Sequence, residues 1–368
     1  MKKMDKKLTR QYFDVKDACF ADHTEWKNGV LAISKEELQA EVAPLLKAVK
    51  SVDFELVKPG ENTRIIHLLD TLQAMYKVEG EGVQYSGYFS DPLMVGEGTT
   101  NLLRGFTVME SAALPWDESS ASSGLLYPRD AIMDMTGPIA GITPFAQTIN
   151  MVILYELEEG KSSIEYDNEI RSIGIKIASF LGEVTKDQTP DESEIFSIDE
   201  VNPDLPNVVL VWNSQNQGPY SNTYIYGHPI DNMVPTLFHP NELMDGCVVS
   251  GNYVWPAFKV PTYLYVNHPI MMELYKEHGK TINFRGVIFG RSHNPSNWHK
   301  TRCAQIAVKI AQYLECDGLI MAWEGGGNAA VDGMLTIQQA EKHGIKASTI
   351  TFEFGGVDGT EGILLVDD

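Results

Sequence analysis

The sequence is short of cysteine, of positive charge and of long apolar runs. Its four cysteines, Cys19, Cys247, Cys303 and Cys316, include no CxxC pair. Their spacing fits neither a zinc knuckle nor a compact disulfide scaffold, so reduced, mostly buried thiols are expected. Lysine and arginine number 29 against 50 aspartates and glutamates, a formal net charge of -21. That balance argues against nucleic acid and against anionic membrane surfaces, both of which need local positive charge. No run approaches the ~18 apolar residues of a membrane span. The basic start, Met1–Phe20, has no apolar stretch behind it, so neither an anchor nor a signal peptide is expected. The expectation is a soluble, cytoplasmic protein. Repeats and long low-complexity tracts are also missing.

What is there is 368 residues, 43% of them apolar. At roughly 100–200 residues per domain this suggests two domains. We place a β-rich α/β lobe at 1–200 and a C-terminal α/β domain at 201–368, with 235–269, rich in Pro, Tyr and Asn, as an exposed loop region between them. In the first lobe, Phe54–Val57 is followed by the turn Lys58-Pro59-Gly60 and the apolar Ile65–Leu69. Asn168–Phe180 has a helical pattern at Ile170, Ile173, Ile177 and Ala178, with Ile175 off it. Lys186–Glu200 is acidic and reads as a solvated linker. Asn207–Trp212 is a near-continuous apolar run, as in a strand buried on both faces. The C-terminal pattern is βαβαβ: strand Arg285–Phe289, helix Arg302–Leu314, strand Gly318–Trp323, helix Val331–His343 ending at Gly344, strand Ala347–Phe352. The fold class expected is α/β, with a doubly wound, mostly parallel C-terminal sheet.

Ligands of open α/β sheets bind beyond the carboxyl ends of strands, and four loops qualify. Glu324-Gly325-Gly326-Gly327-Asn328 follows a buried strand and precedes a helix. Its glycine amides and helix start suit an anion. No Lys-Ser/Thr follows, so it is not a Walker loop, and the GxGxxG spacing is missing. A tight turn with Asn328 as helix cap is the plain alternative. Glu324 is a candidate catalytic carboxylate. Gln215 and Gln217, after Asn207–Trp212, suit a polar substrate, or else a satisfied turn. His293, near His299, is a candidate acid/base; without a third ligand no metal is expected. Glu353, with Gly355 and Gly356, repeats the carboxylate-plus-glycine arrangement and could share a rim with Glu324.

Several stretches resemble one family. They include Lys58-Pro59-Gly60-Glu61, Val95-Gly96-Glu97-Gly98-Thr99, Asp134-Met135-Thr136-Gly137-Pro138, Gln215-Asn216-Gln217-Gly218, Thr223-Tyr224-Ile225-Tyr226-Gly227, His239-Pro240-Asn241-Glu242, Met244-Asp245-Gly246, Asn267-His268-Pro269 and His278-Gly279-Lys280. In order and spacing they resemble component B of the glycine, sarcosine and betaine reductases, relatives of the D-proline reductase proprotein. The resemblance implies a proprotein whose cysteine, after Val249-Ser250-Gly251-Asn252, cleaves the chain and leaves a pyruvoyl group. That group binds the substrate amine, and a selenocysteine-containing partner subunit displaces it. Tyr253 stands where the family has that cysteine, and Ala257 replaces a further one. A phenol cannot make the acyl transfer, so Asn252–Tyr253 should stay intact and no pyruvoyl cofactor is expected. A shift at Gly246–Cys247 is the chemical alternative. The chain also ends at Asp368, where the family continues.

The resemblance implies an oligomeric, substrate-binding reductase subunit with a thiol or selenol partner and a small amino-acid-like substrate. Asn252, Tyr253, Gln215, Gln217, Glu353 and the Gly325–Asn328 loop would line its site. A non-catalytic binding or assembly protein that keeps the fold is the other reading.

Overall fold

The computed structural model describes residues 6–115, 131–215, 223–250 and 259–351. The largest of its sheets comes from the first 200 residues: β1 (Leu8–Asp14), β2 (Val49–Val57), β3 (Leu68–Glu79), β4 (Gly98–Ser111), β5 (Ile149–Leu157) and β6 (Glu192–Phe196). The path is β6-β1-β4-β5-β2, with β3 paired to β4 off that path. The long β4 is its axis. One edge pairs in parallel with β1 up to Asp14↔Arg104, then with β5 from Ile149↔Phe106, while β3 runs antiparallel to it. Gly105, at φ +83°, stands at the handover. Only glycine takes that backbone without a steric cost.

After the short helix α1 (Lys35–Val42), the helix α2 (Ser163–Glu183) covers β3 and β4. A capping box between Ser162 and Glu165 starts it, satisfying amides that would otherwise lack partners. Ile170, Ile173, Ile177 and Leu181 are buried, and so is the off-pattern Ile175. Two glycines let the helix lie close: a Cβ on Gly174 would strike the Glu110 carboxylate, and one on Gly182 the backbone of Met75. The acidic stretch 186–200 is no linker. Its residues Glu192–Phe196 are β6, antiparallel to β1 from Leu8↔Phe196 to Tyr12↔Glu192. It looks solvated in sequence because an edge strand tolerates exposed charge.

The second sheet has the order β8-β9-β7-β10-β11, from β7 (Asn207–Ser214), β8 (Thr236–Phe238), β9 (Asn283–Arg291), β10 (Gly318–Trp323) and β11 (Lys346–Ile350). Strands β9, β7, β10 and β11 are parallel, and β8 pairs antiparallel with β9 at the edge. The molecule is therefore mixed α/β, and this sheet too is mixed rather than purely parallel. The apolar run of β7 is buried on both faces. Val209 and Val211 meet α6 (Asn297–Tyr313) and α7 (Asn328–Lys342), while Leu210 and Trp212 face a core with Leu243, Tyr265, Met271 and Phe289.

The described residues of the segment expected as an exposed loop, 235–250 and 259–269, are instead largely core. They carry α3 (Pro240–Met244), α4 (Thr262–Val266) and the start of α5 (Pro269–Glu277). Asn241, Asp245, Ser250, Thr262 and Tyr265 are each 0% exposed. Several of the segment's polar side chains are satisfied by the first half of the chain. Asp245 pairs with buried Lys77 and accepts from Gly96 N (2.8 Å) and Thr100 Oγ1. Asn241 donates to Phe196 O at 3.1 Å, and Arg10 donates to Asn267 Oδ1 at 2.6 Å.

Candidate functional site

The parallel pairing of β7 and β10 runs on one residue past β10, where Glu324 N donates to Asn213 O (2.9 Å). This turns the Glu324 side chain back over the end of β7, where it is 1% exposed. Four donors surround it. Ser214 Oγ (2.9 Å) and Gln215 N (2.7 Å) reach Oε2, and Val260 N (2.9 Å) and the Tyr265 hydroxyl (2.7 Å) reach Oε1. Burial pushes the carboxyl up, while nearby Lys259 and these donors pull it back. Lys259, 4% exposed, is the reverse case. Burial and then the Arg171 guanidinium lower it to about 7, against the pull of Glu324.

A polar chain leads from this carboxylate to the first sheet. Tyr265 OH lies 2.8 Å from Ser214 Oγ, and Ser214 Oγ 3.1 Å from Thr223 Oγ1. Thr223 Oγ1 donates to Gln215 O (3.1 Å) and lies 3.4 Å from Ser250 Oγ. Ser250 N donates to Thr262 Oγ1 (2.8 Å), and Thr262 donates through N and Oγ1 to Asp70 of β3, at 2.9 and 2.6 Å. Buried polar groups joined this way hold one another in a single arrangement. Beside the chain lies a cavity of about 440 Å³, lined by Trp212, Lys259, Leu264, His268, Trp323 and Glu324 among others. His268 is 2% exposed and meets Trp212 edge-on, ring centroids 4.5 Å apart. Burial alone takes its imidazole down to about 3, so it is neutral.

Of the residues singled out from sequence, Glu324 and Gln215 are brought together. The Gln215 side chain lies over Gly325, where a Cβ would collide with it. Ser292 Oγ is 2.9 Å from both Gln215 Oε1 and Glu324 O. Gly326 is half-buried, and Gly327 and Asn328 are exposed. Gly327, at φ +55°, takes the N-cap position of α7, so Asn328 is its first residue and not its cap. Instead, Asn328 O accepts from Lys300 Nζ at 3.0 Å. His293 is half-buried at φ +58°, one residue beyond Ser292. Burial and Lys300 lower its imidazole. Its neighbour Asn294 is tied to Asp332, which forms a buried pair with Lys300 at 2.6 Å. Gln217, Asn252, Tyr253 and Glu353 lie outside the described residues. Sequence reasoning missed Lys259, Tyr265, His268 and Asp70. Lys259 left one trace: it is a lone cation between Phe258 and Val260.

The family model for glycine/sarcosine/betaine reductase component B subunits matches residues 6–368. The chain belongs to this family. Among component B relatives, it is 38% identical over 352 residues to the glycine reductase complex component B subunits alpha and beta of Acetoanaerobium sticklandii, covering 94% of this chain and 79% of that one. It is 35% identical over 351 residues to the sarcosine reductase complex component B subunit alpha of Peptoclostridium acidaminophilum, covering 94% and 79%. The betaine reductase complex component B subunit alpha of the same organism is 32% identical over 365 residues, covering 96% and 80%. No helix among the described residues is long and apolar enough to cross a membrane.

Proposed function

We propose that this chain is the substrate-binding subunit of a reductase complex that cleaves the C–N bond, or a similar bond, of a small amino-acid-like molecule. A thiol or selenol partner supplies the nucleophile, since the sequence has no CxxC pair to do so. The observation that carries this reading is the buried Glu324 carboxylate on the wall of a cavity at the carboxyl ends of β7 and β10. A fixed buried anion suits a substrate ammonium. Trp212 and Trp323 in the same wall suit a methylated one. The family's relatives are named for glycine, sarcosine and betaine reductase complexes, and their substrates share this chemistry. The same reading takes 1–200 and 201–368 as domains, the second doubly wound, in a cytoplasmic oligomer.

The reading carries no pyruvoyl group. Tyr253 occupies the family's cysteine position. Cys247 is 1% exposed, and burial pushes its thiol well above the usual range. The backbone around it is committed: Cys247 N donates to Glu242 O, and Tyr226 N donates to Cys247 O. An inert thiol on a hydrogen-bonded peptide is a poor nucleophile. Neither Tyr253 nor Cys247 fits a self-made pyruvoyl.

The test joins intact mass with binding. One full-length species without hydrazide-reactive carbonyl is expected, as is a thermal shift with glycine, sarcosine or betaine that Glu324→Gln abolishes. A cleaved chain with a ketone-bearing terminus at residue 253 would overturn the cofactor-free reading. Binding without turnover, in the presence of the thiol or selenol partner, would favour the non-catalytic binding protein, to which the loss of the cysteine already points.

A further inference from the structure

The reductase reading leaves Lys259 and His268 without a task. Both line the cavity of about 440 Å³, Lys259 at 4% and His268 at 2% exposure. The two ring nitrogens of His268 are buried, and neither has a hydrogen-bond partner among the described residues. A neutral imidazole offers one N–H and one acceptor nitrogen. Leaving both unmade inside a protein is costly, and a ligand in the cavity would supply the partners. Lys259 is set among Val260, Leu264 and the two tryptophans of the same wall. An amine becomes a nucleophile when it is desolvated in apolar surroundings or placed beside another cation. Lys259 is buried in the cavity wall, where burial and the charge of Arg171 disfavour its ammonium form against the pull of Glu324, Asp167 and Asp70.

We propose that Lys259 is a carbonyl-capturing amine, and that the cavity takes a short 2-oxo acid and holds it as an imine on Lys259 Nζ. The amine lone pair attacks the keto carbon and the N–C bond forms. The C–O bond then breaks, and the oxygen leaves as water with the two amine hydrogens. A proton from solvent makes the iminium. Nothing is oxidised or reduced. Glu324, fixed by its four donors, is the anion beside the iminium. The His268 N–H donates to the acid's carboxylate. This goes beyond the reductase reading, though it rests on the same cavity being a ligand site.

The experiment is reductive trapping on the full-length chain. Pyruvate or 2-oxobutyrate is added, borohydride follows, and the product is read by intact mass and peptide mapping. One adduct is expected, on Lys259, saturable in the oxo acid and missing in Lys259→Met. His268→Leu should raise the concentration for half-labelling about tenfold, the equivalent of one lost hydrogen bond. The wild-type map needs no variant to fold. No adduct, or label scattered over lysines and unchanged in Lys259→Met, overturns the proposal. The two readings separate by competition. Binding of glycine or betaine with no trapped adduct sinks the imine alone. A Lys259 adduct that neither ligand competes with upholds the imine and counts against the reductase subunit.

Discussion

Replacing Glu324 by glutamine keeps the shape of the side chain and removes its charge. The carboxylate accepts from Ser214, Gln215 N, Val260 N and Tyr265, and an amide has one oxygen for those four donors. If that oxygen keeps the Val260 and Tyr265 side, each bond becomes a neutral one, about 1 kcal/mol weaker than its charged counterpart. The new NH2 then faces Gln215 N–H, a backbone donor that cannot turn away, whereas the Ser214 hydroxyl can. A buried unpaired N–H costs about 1–3 kcal/mol. The variant recovers part of this loss, because burial already disfavours the charged carboxylate. The net expected loss is roughly 2–4 kcal/mol. Urea unfolding followed by tryptophan fluorescence reads it, since Trp212 and Trp323 line the same cavity. A loss below about 1 kcal/mol, smaller than one unsatisfied donor should cost, would refute this account of how the carboxylate is held.

Three further outcomes follow from the same geometry. Asp245→Ala strands Lys77 in the core, where both side chains are almost wholly buried, and should cost about 3–5 kcal/mol by chemical denaturation. The Lys259 amine is lowered in the folded chain to about 7 from 10.5, so between those values the unfolded chain binds more protons. Lys259 therefore makes stability rise with pH across that window. Melting temperatures from pH 7 to 9 should show a steeper rise in wild type than in Lys259→Met, and trapping by borohydride should climb through pH 7 and then level. Gly182→Ala pushes a methyl into the Met75 backbone and should destabilise by about 1–3 kcal/mol; an unchanged melting temperature would mean α2 does not lie against β3 as described.

The C-terminal elements were legible because their burial is local in sequence. Gly318–Trp323 reads as a strand to the residue, since an apolar run between a helix end and a glycine turn leaves little choice. Glu324 stood out for the same reason: a carboxylate directly after such a strand has to be either exposed or held. What holds it could not be read. Tyr265, Val260 and Gln215 come from distant stretches, and no periodicity links them. The segment 235–269 misled by composition. Pro, Tyr and Asn in quantity suggest solvent, yet here Asn241, Asp245 and Tyr265 are satisfied by remote partners. The strand Glu192–Phe196 was hidden for the opposite reason. Most of its side chains face water, and the side-chain contacts it makes with β1, such as Tyr12 OH donating to Glu194 Oε2 at 3.3 Å, join residues far apart in sequence.

The anchoring of Ser250 and Val260 has a topological result. Ser250 N is fastened to Thr262 and Val260 N to Glu324, so each side of residues 251–258 is moored independently of the stretch between them. Strands β7 and β8 precede that stretch, and β9, β10 and β11 follow it, yet all five belong to one sheet. Severing the backbone there would yield two polypeptides zipped together strand by strand, β9 and β10 of one flanking β7 of the other. The architecture is thus indifferent to whether this protein exists as one piece or as an interlocked pair.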